Sequence, residues 1–189
     1  EPLSAQLLGA RDDLPDGGAD HLAQVIGQVR VENPKTRIEV LTSDFQGDSR
    51  AILKVALAKP DIFNHNLETV ERLTCRVRHR ATYRRSLELL RQVREFAPEM
   101  ITKSGMMLGL GEQPDEIRRA LEDLRAVGCE LLTIGQYLQP SHKNLPVVEF
   151  VRPEVFEEWK LFAESIGFRN VASGPLVRSS YHAEEMVAL

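Results

Sequence analysis

Behind four short apolar runs, the chain carries polar side chains of the kind that hold a small molecule. Asp44 follows the run at 38–41, and Asn64, His65, Asn66 and Glu68 follow that at 62–63. Gly109, Gly111 and Glu112 follow the run at 101–108, and Gln136, Tyr137 and Gln139 follow that at 131–135. Hydrogen-bonding groups at successive strand exits would line one end of a sheet, where a small-molecule site is expected. In Gly105-Met-Met107-Leu-Gly109-Leu-Gly111-Glu112, the glycines allow a tight turn with positive φ or the close approach of backbone to a planar ligand. Taken alone, the tight turn is the commoner meaning of such a segment. Lys103 reads, from the residue alone, as a lysine whose stem lies along the surface. His65 has no His or Cys partner at metal-ligand spacing and reads as a hydrogen-bonded loop residue, as do His21, His79, His142 and His182. Cys75 and Cys129 stand alone and read as ordinary packed or half-exposed thiols. The tail Arg178-Ser179-Ser180-Tyr181-His182 would pass, by itself, for a polar extension.

Elements that could position these residues alternate along the chain. Leu22, Val25, Ile26 and Val29 recur at i, i+3, i+4 and i+7 and predict a helix over about 19–31, ended by Pro34. A strand is expected at 38–41, a helix at about 49–58 and a strand opening at 62–63. A helix at about 83–96 and a strand from 101 follow. Pro114 starts the next helix, where its missing N–H costs nothing, and Gly128 fits its end. After the strand at 131–138, Phe156, Trp159, Phe162, Ala163 and Ile166 mark a last helix that Gly167 closes; its aromatics read as core. Glu122 to Arg125 and Arg84-Arg85 read as solvated helix faces. Residues 3–10 sit where a strand is wanted but lack β-branched residues. The alternation implies βαβ units, right-handed crossovers and a parallel sheet. With about four clear strands before the last helix, and a full barrel needing about 250 residues, the α/β fold is either an open sheet or part of a barrel.

The 189 residues suffice for one domain with a sizeable core. A hydrophobic share of 42%, a charged share of 28% and a net charge of −4 give no reason to expect nucleic acid or an acidic membrane as partner. No apolar run approaches the roughly 20 residues of a membrane span, and Glu1-Pro-Leu-Ser-Ala is no secretory signal. Two isolated cysteines make no disulfide framework, so a reducing, cytoplasmic setting is expected.

Five ordered blocks resemble lipoyl synthase, a radical S-adenosylmethionine (SAM) family. They are Arg11-Asp-Asp-Leu-Pro-Asp-Gly-Gly-Ala19, Asp61-Ile-Phe-Asn-His-Asn-Leu-Glu-Thr69, Thr102-Lys-Ser-Gly-Met-Met-Leu-Gly-Leu-Gly-Glu112, Leu132-Thr-Ile-Gly-Gln-Tyr-Leu-Gln-Pro-Ser141 and Arg178-Ser-Ser-Tyr-His182. Together they cover roughly residues 11–183. The resemblance implies a partial parallel (β/α) barrel of radical SAM type over 1–173 and an extended tail over 174–189. It implies that S-adenosylmethionine, cleaved at one 4Fe–4S cluster, yields a radical that removes hydrogen from C6 and C8 of a protein-bound octanoyl-lysine. A second, auxiliary 4Fe–4S cluster gives up both sulfurs. Ser180 matches the serine that ligates the auxiliary cluster, with Arg178 beside it. Iron–sulfur clusters favour soft thiolates, so a hard serine oxygen is a ligand suited to release. Gly105, Met107, Gly109 and Glu112 match the spacing of a motif beside the adenine. Asn66, Glu68 and Lys103 would face the S-adenosylmethionine side, and Gln136 and Tyr137 the adenosyl part. The family's six cluster cysteines lie N-terminal to the region seen here. Implied partners are octanoylated lipoyl carrier domains (2-oxoacid dehydrogenase E2 subunits and the glycine cleavage H protein) and an electron donor such as ferredoxin or flavodoxin. No nucleic acid or membrane partner is expected.

Two stretches depart from the family pattern. Gln6-Leu-Leu-Gly-Ala10 replaces a strand rich in valine and threonine. In Arg76-Val-Arg-His-Arg-Ala-Thr-Tyr83, His79, Arg80 and Thr82 replace a proline, a glycine and an aspartate, which removes a preset turn and adds positive charge. The competing reading is a truncated, non-catalytic homologue acting as a binding module.

Overall fold

The computed structural model describes residues 4–9 and 14–179. Six parallel strands form one sheet in sequence order: β1 (Ser4–Gly9), β2 (Arg37–Thr42), β3 (Ile62–Asn64), β4 (Ile101–Leu108), β5 (Leu131–Gln136) and β6 (Asn170–Gly174). The connecting helices are α1 (Ala19–Glu32), α2 (Ser49–Leu57), α3 (Glu71–Val77), α4 (Tyr83–Phe96), α5 (Pro114–Ala126) and α6 (Pro153–Ser165). A sheet with strands in sequence order and a helical crossover at each step is the arrangement of a barrel that has not closed.

Three elements exceed the sequence expectation. β1 forms despite its poor strand composition, because it pairs along β2 from Ser4↔Arg37 to Gly9↔Thr42. β6 follows α6 and pairs β5 from Leu131↔Asn170 to Gly135↔Gly174. The short helix α3 lies inside what read as a loop. Elsewhere the expected strands and helices are present, with ends shifted by at most three residues.

The strands' two faces carry different loads. Ile38, Val40, Phe63, Met106, Leu132, Ile134 and Val171 join Ile26, Ile52, Leu90, Leu121 and Phe156 of the helices in one large core. Phe156 is fully buried, whereas Trp159 and Phe162 pack on the core's margin edge to face. The opposite face is layered along the strands. Ile62 and Leu131, with Ile101 and Ala172 against them, make a small apolar layer at its lower end. One step further along β4, Lys103 lies in register with Asn64 and Leu131. Beyond that come the pairs Gly105↔Thr133 and Met107↔Gly135. Side chains alternate between faces, so Lys103, Gly105 and Met107 share this inner face.

The divergent stretch before Tyr83 is stabilised locally. The Thr82 hydroxyl accepts from Arg85 N and caps α4. Arg85 departs from the expected solvated face: its Nε donates to the nearly buried Asp44 carboxylate at 2.7 Å. The 122–125 stretch is likewise only partly solvated, since Leu124 is in the core and Asp123 accepts from the Tyr83 hydroxyl at 2.8 Å.

Candidate functional site

The loop after β3 owes its shape to one extra residue. The chain takes four steps from Asn64 to Glu68, while β4 takes three from Lys103 to Met106, and Glu68 then pairs Met106. Glu68 N donates to Gly105 O at 2.9 Å, and Met107 N donates to Glu68 O at 2.8 Å. Such a bulge redirects side chains. Here Glu68 adopts φ 71, a strained conformation for a residue with a side chain, of a kind concentrated at functional sites.

A cavity of about 240 Å³ opens at this end of the sheet. The bulge contributes Asn66 and Glu68, and β4 contributes Gly105, Met106 and Met107. Thr133, Gly135 and Gln136 of β5 with Leu138 form another wall, and Val177, Arg178 and Ser179 cross the last. Burial pushes the Glu68 carboxyl up from its ordinary value, while the Asn66 amide and the Arg78 guanidinium pull it back. The Asn66 Oδ1 atom is buried without a hydrogen-bond partner. A Cβ on Gly105 would lie 2.6 Å from Thr133 Oγ1 and 2.9 Å from Asn66 Oδ1, so a side chain there would collide with the cavity's polar wall.

The bulge is fixed from behind by His65. Its Nδ1 faces the Thr42 carbonyl at 3.0 Å, so Nδ1 carries the proton and donates. Nε2 is then the acceptor for the Ser86 hydroxyl at 2.9 Å. Ser86 Oγ accepts in turn from Arg78 Nη1 at 3.3 Å, and the same nitrogen donates to Asn66 O at 2.9 Å. Burial, with Arg78 nearby, pushes the His65 pKa down to about 4, which keeps the ring neutral. Arg78 and Ser86 gave no sign of this role in the sequence, since they lie twelve and twenty residues beyond Asn66 on other elements.

The remaining predicted residues divide between wall and support. Gly105, Met107, Asn66, Glu68, Gln136 and Arg178 all line the cavity. Glu112 turns inward: its Oε2 accepts from Gly109 N at 3.1 Å and Leu110 N at 3.0 Å, and its Oε1 accepts from Thr69 at 3.3 Å. Gly109 has φ 107, and a Cβ there would strike Gln136 and lie 2.5 Å from Glu149 O. Gln136 clamps the long connection to α6, donating to Glu149 O at 3.0 Å and accepting from Val151 N at 2.9 Å. Tyr137 is buried, and its hydroxyl donates to Leu145 O at 2.8 Å. Lys103 is fully buried below the cavity, which excludes the surface-lysine reading. Its ammonium donates to both Glu39 oxygens, at 3.1 and 2.9 Å, and to Ser179 O at 2.6 Å. Asn64 Nδ2 donates to the same Glu39 carboxylate at 2.7 Å. Thr133 and Gly135 went unmarked in the sequence, although the period-two alternation of β5 with the register to Gly105 puts them on the cavity face. Ser180 lies outside the described residues.

Among the described residues, no group of three or more His, Cys, Asp or Glu side chains could hold a metal ion. Cys75 is exposed and Cys129 is buried, and both are free. No helix of the described residues is long and apolar enough to cross a membrane.

Comparison with known proteins agrees with this layout. The chain is 58% identical to the lipoyl synthase of Caldicellulosiruptor bescii over 174 residues, which are 92% of this chain and 60% of that protein. It is 54% identical to the lipoyl synthase of Methylococcus capsulatus over 180 residues, 95% of this chain and 56% of the relative. The chain thus spans about 60% of the length of the curated relatives it matches. In fold it is similar to methylornithine synthase, with a TM-score of 0.68 at 12% identity over 93% of this chain and 58% of that one. It is also similar to a domain of pyruvate-formate lyase-activating enzyme from Bacteroides vulgatus, with a TM-score of 0.65 at 12% identity over 90% and 99% of the two chains. Residues 6–124 match the radical SAM superfamily. The chain belongs to the radical SAM superfamily and, within it, is a homologue of lipoyl synthase.

Proposed function

We propose that the complete protein inserts two sulfur atoms, at C6 and C8, into an octanoyl chain carried on a protein lysine. The observation that carries this reading is the convergence of separate motif blocks on one cavity: Asn66 and Glu68 from one, Gly105 and Met107 from a second, Gln136 from a third, Arg178 from the tail.

The cavity suits S-adenosylmethionine on two counts. Asn66 Oδ1 is a buried acceptor that lacks a donor, and an amine or a hydroxyl of such a ligand supplies one. Gly105 lets the Thr133 hydroxyl and the Asn66 amide close together over β4, setting two polar groups in the wall that can hydrogen-bond such a ligand. When bound, S-adenosylmethionine supplies hydrogen-abstracting power on one-electron reduction. The chain's own residues do the rest. Glu68 presents a carboxylate in a partly dehydrated wall, where attraction to a cationic group is stronger than in water. Met107, Leu138 and Val177 supply apolar lining that limits water around a reactive intermediate. The described residues do not include a cluster's ligand set, so no step through a cluster is assigned to them.

In this reading residues 1–173 are the barrel part, and 174–189 are a tail in which Ser180 is the oxygen ligand of an auxiliary cluster. The partners are octanoylated lipoyl carrier domains and a ferredoxin- or flavodoxin-type donor, in the cytoplasm. The test is mass spectrometry of an octanoyl-lysine peptide incubated with the complete reading frame, reconstituted clusters, S-adenosylmethionine and reductant. Formation of the lipoyl-lysine peptide is expected, and an unchanged peptide would contradict the proposal.

A further inference from the structure

We infer that Lys103, held by Glu39, is the anchor that docks the C-terminal tail onto the barrel, and is a positioning residue for the chain entering Ser180. An ammonium has three N–H donors. Two meet the Glu39 carboxylate, and the third meets the backbone carbonyl of Ser179 at 2.6 Å. Lys103 is fully buried and Glu39 is 4% exposed, so a donor left over when the tail departs would cost a buried, charge-assisted hydrogen bond. The Glu39–Lys103 pair is therefore complete only with the tail in place.

Gly135 supports the same docking independently. A Cβ at Gly135 would overlap the Val177 carbonyl oxygen and lie 3.4 Å from Arg178 Nη1. The tail thus crosses β5 at the one residue of that strand with no side chain. Val177 is 7% exposed and its N–H donates to Gly174 O at 3.1 Å, which folds the chain back toward the strand end. Turn and crossing hold the tail at Val177, and the ammonium holds it at Ser179. Lys103, beneath the cavity, accordingly acts through Ser179.

The test is limited trypsin proteolysis of the intact protein, following by mass the cut after Arg178 that releases the chain from Ser179 onward. A protease must draw an undocked segment into its cleft, so the cutting rate reports the undocked population. The variant Lys103→Met with Glu39→Gln removes both charges together and leaves neither ion unpaired. It is expected to speed that cut at least about tenfold, the factor that losing a charge-assisted hydrogen bond corresponds to, while cuts within α4 and α5 keep their rates. Gly135→Ala, which touches the tail and leaves the buried pair intact, is expected to do the same. A folded double variant cut after Arg178 at the wild-type rate would overturn the inference. If the double variant does not fold, Gly135→Ala decides, and a wild-type rate there overturns it. Sulfur insertion is not the readout, so this inference and the functional proposal can fail separately.

Discussion

At the residue scale, buried polar groups in this protein do positional work that their neighbours in sequence do not announce. His65 is in the middle of a motif rich in possible ligands, yet both ring nitrogens are spent on Thr42 and Ser86. The consequence is a pH dependence of stability with a defined sign. The native ring has a pKa near 4, below the ordinary value of 6.5. Between those values the unfolded chain binds a proton that the folded chain refuses. The stabilisation is therefore complete above about pH 6.5 and is lost as pH falls toward 4, by roughly 3 kcal/mol at most. The carboxylates held low by arginine, Glu88 and Glu116 at about 2, lose their contribution below the ordinary value of 4.5, at the lower edge of this window. Glu68, raised by burial, acts with the opposite sign above 4.5, so the histidine's share is read as the difference from a His65 variant. Urea unfolding at a series of pH values is expected to show this loss in the wild type and its near absence in His65→Gln. An equal slope in both would mean the histidine does not titrate as described. The sequence marked His65 correctly as a bonded loop residue. It could not show the partners, because Thr42, Arg78 and Ser86 approach only through tertiary contacts. Lys103 was harder still. A lysine on a strand reads as surface or ligand until its opposing carboxylate, 64 positions away, is seen.

At the element scale, periodicity made the long helices and the central strands legible. It failed where an element is short or is imposed by its neighbour. Ser4–Gly9 has little intrinsic strand preference and becomes β1 through pairing with β2. Asn170–Gly174 is a strand of small and polar residues, stabilised by β5 in the same way. Seven residues of α3 fit barely two turns, too few for a periodic signal. Caps explain more than periodicity at 76–83, where losing a proline and a glycine removes a preset turn before α4. Thr82 supplies the missing cap. Thr82→Ala is expected to lower unfolding stability by about 1 kcal/mol, and Thr82→Asp to leave it nearly unchanged. Denaturant melts of the two variants check this, and equal losses in both would show that the side-chain oxygen is not what matters.

At the scale of the whole molecule, six parallel strands stack three layers on the face away from the helices: apolar at the bottom, the Glu39–Lys103–Asn64 cluster in the middle, and the cavity on top. Each layer prepares the next. The apolar layer makes the ion pair dry, the ion pair fixes the tail, and the tail completes the cavity wall. Most residues of the cavity wall stand in the motif blocks, because strand exits gather at one end of a parallel sheet. The layering itself depends on the register between strands, which a single sequence does not display. The cavity as the adenosyl site is tested most directly by titration calorimetry of the intact protein with S-adenosylhomocysteine, which carries the adenosyl group and needs no reduction. Saturable one-to-one binding by the wild type is expected, weakened at least about tenfold in Gly105→Ala, whose Cβ would meet Thr133 and Asn66. Binding by Gly105→Ala as tight as by the wild type would contradict the assignment of this cavity.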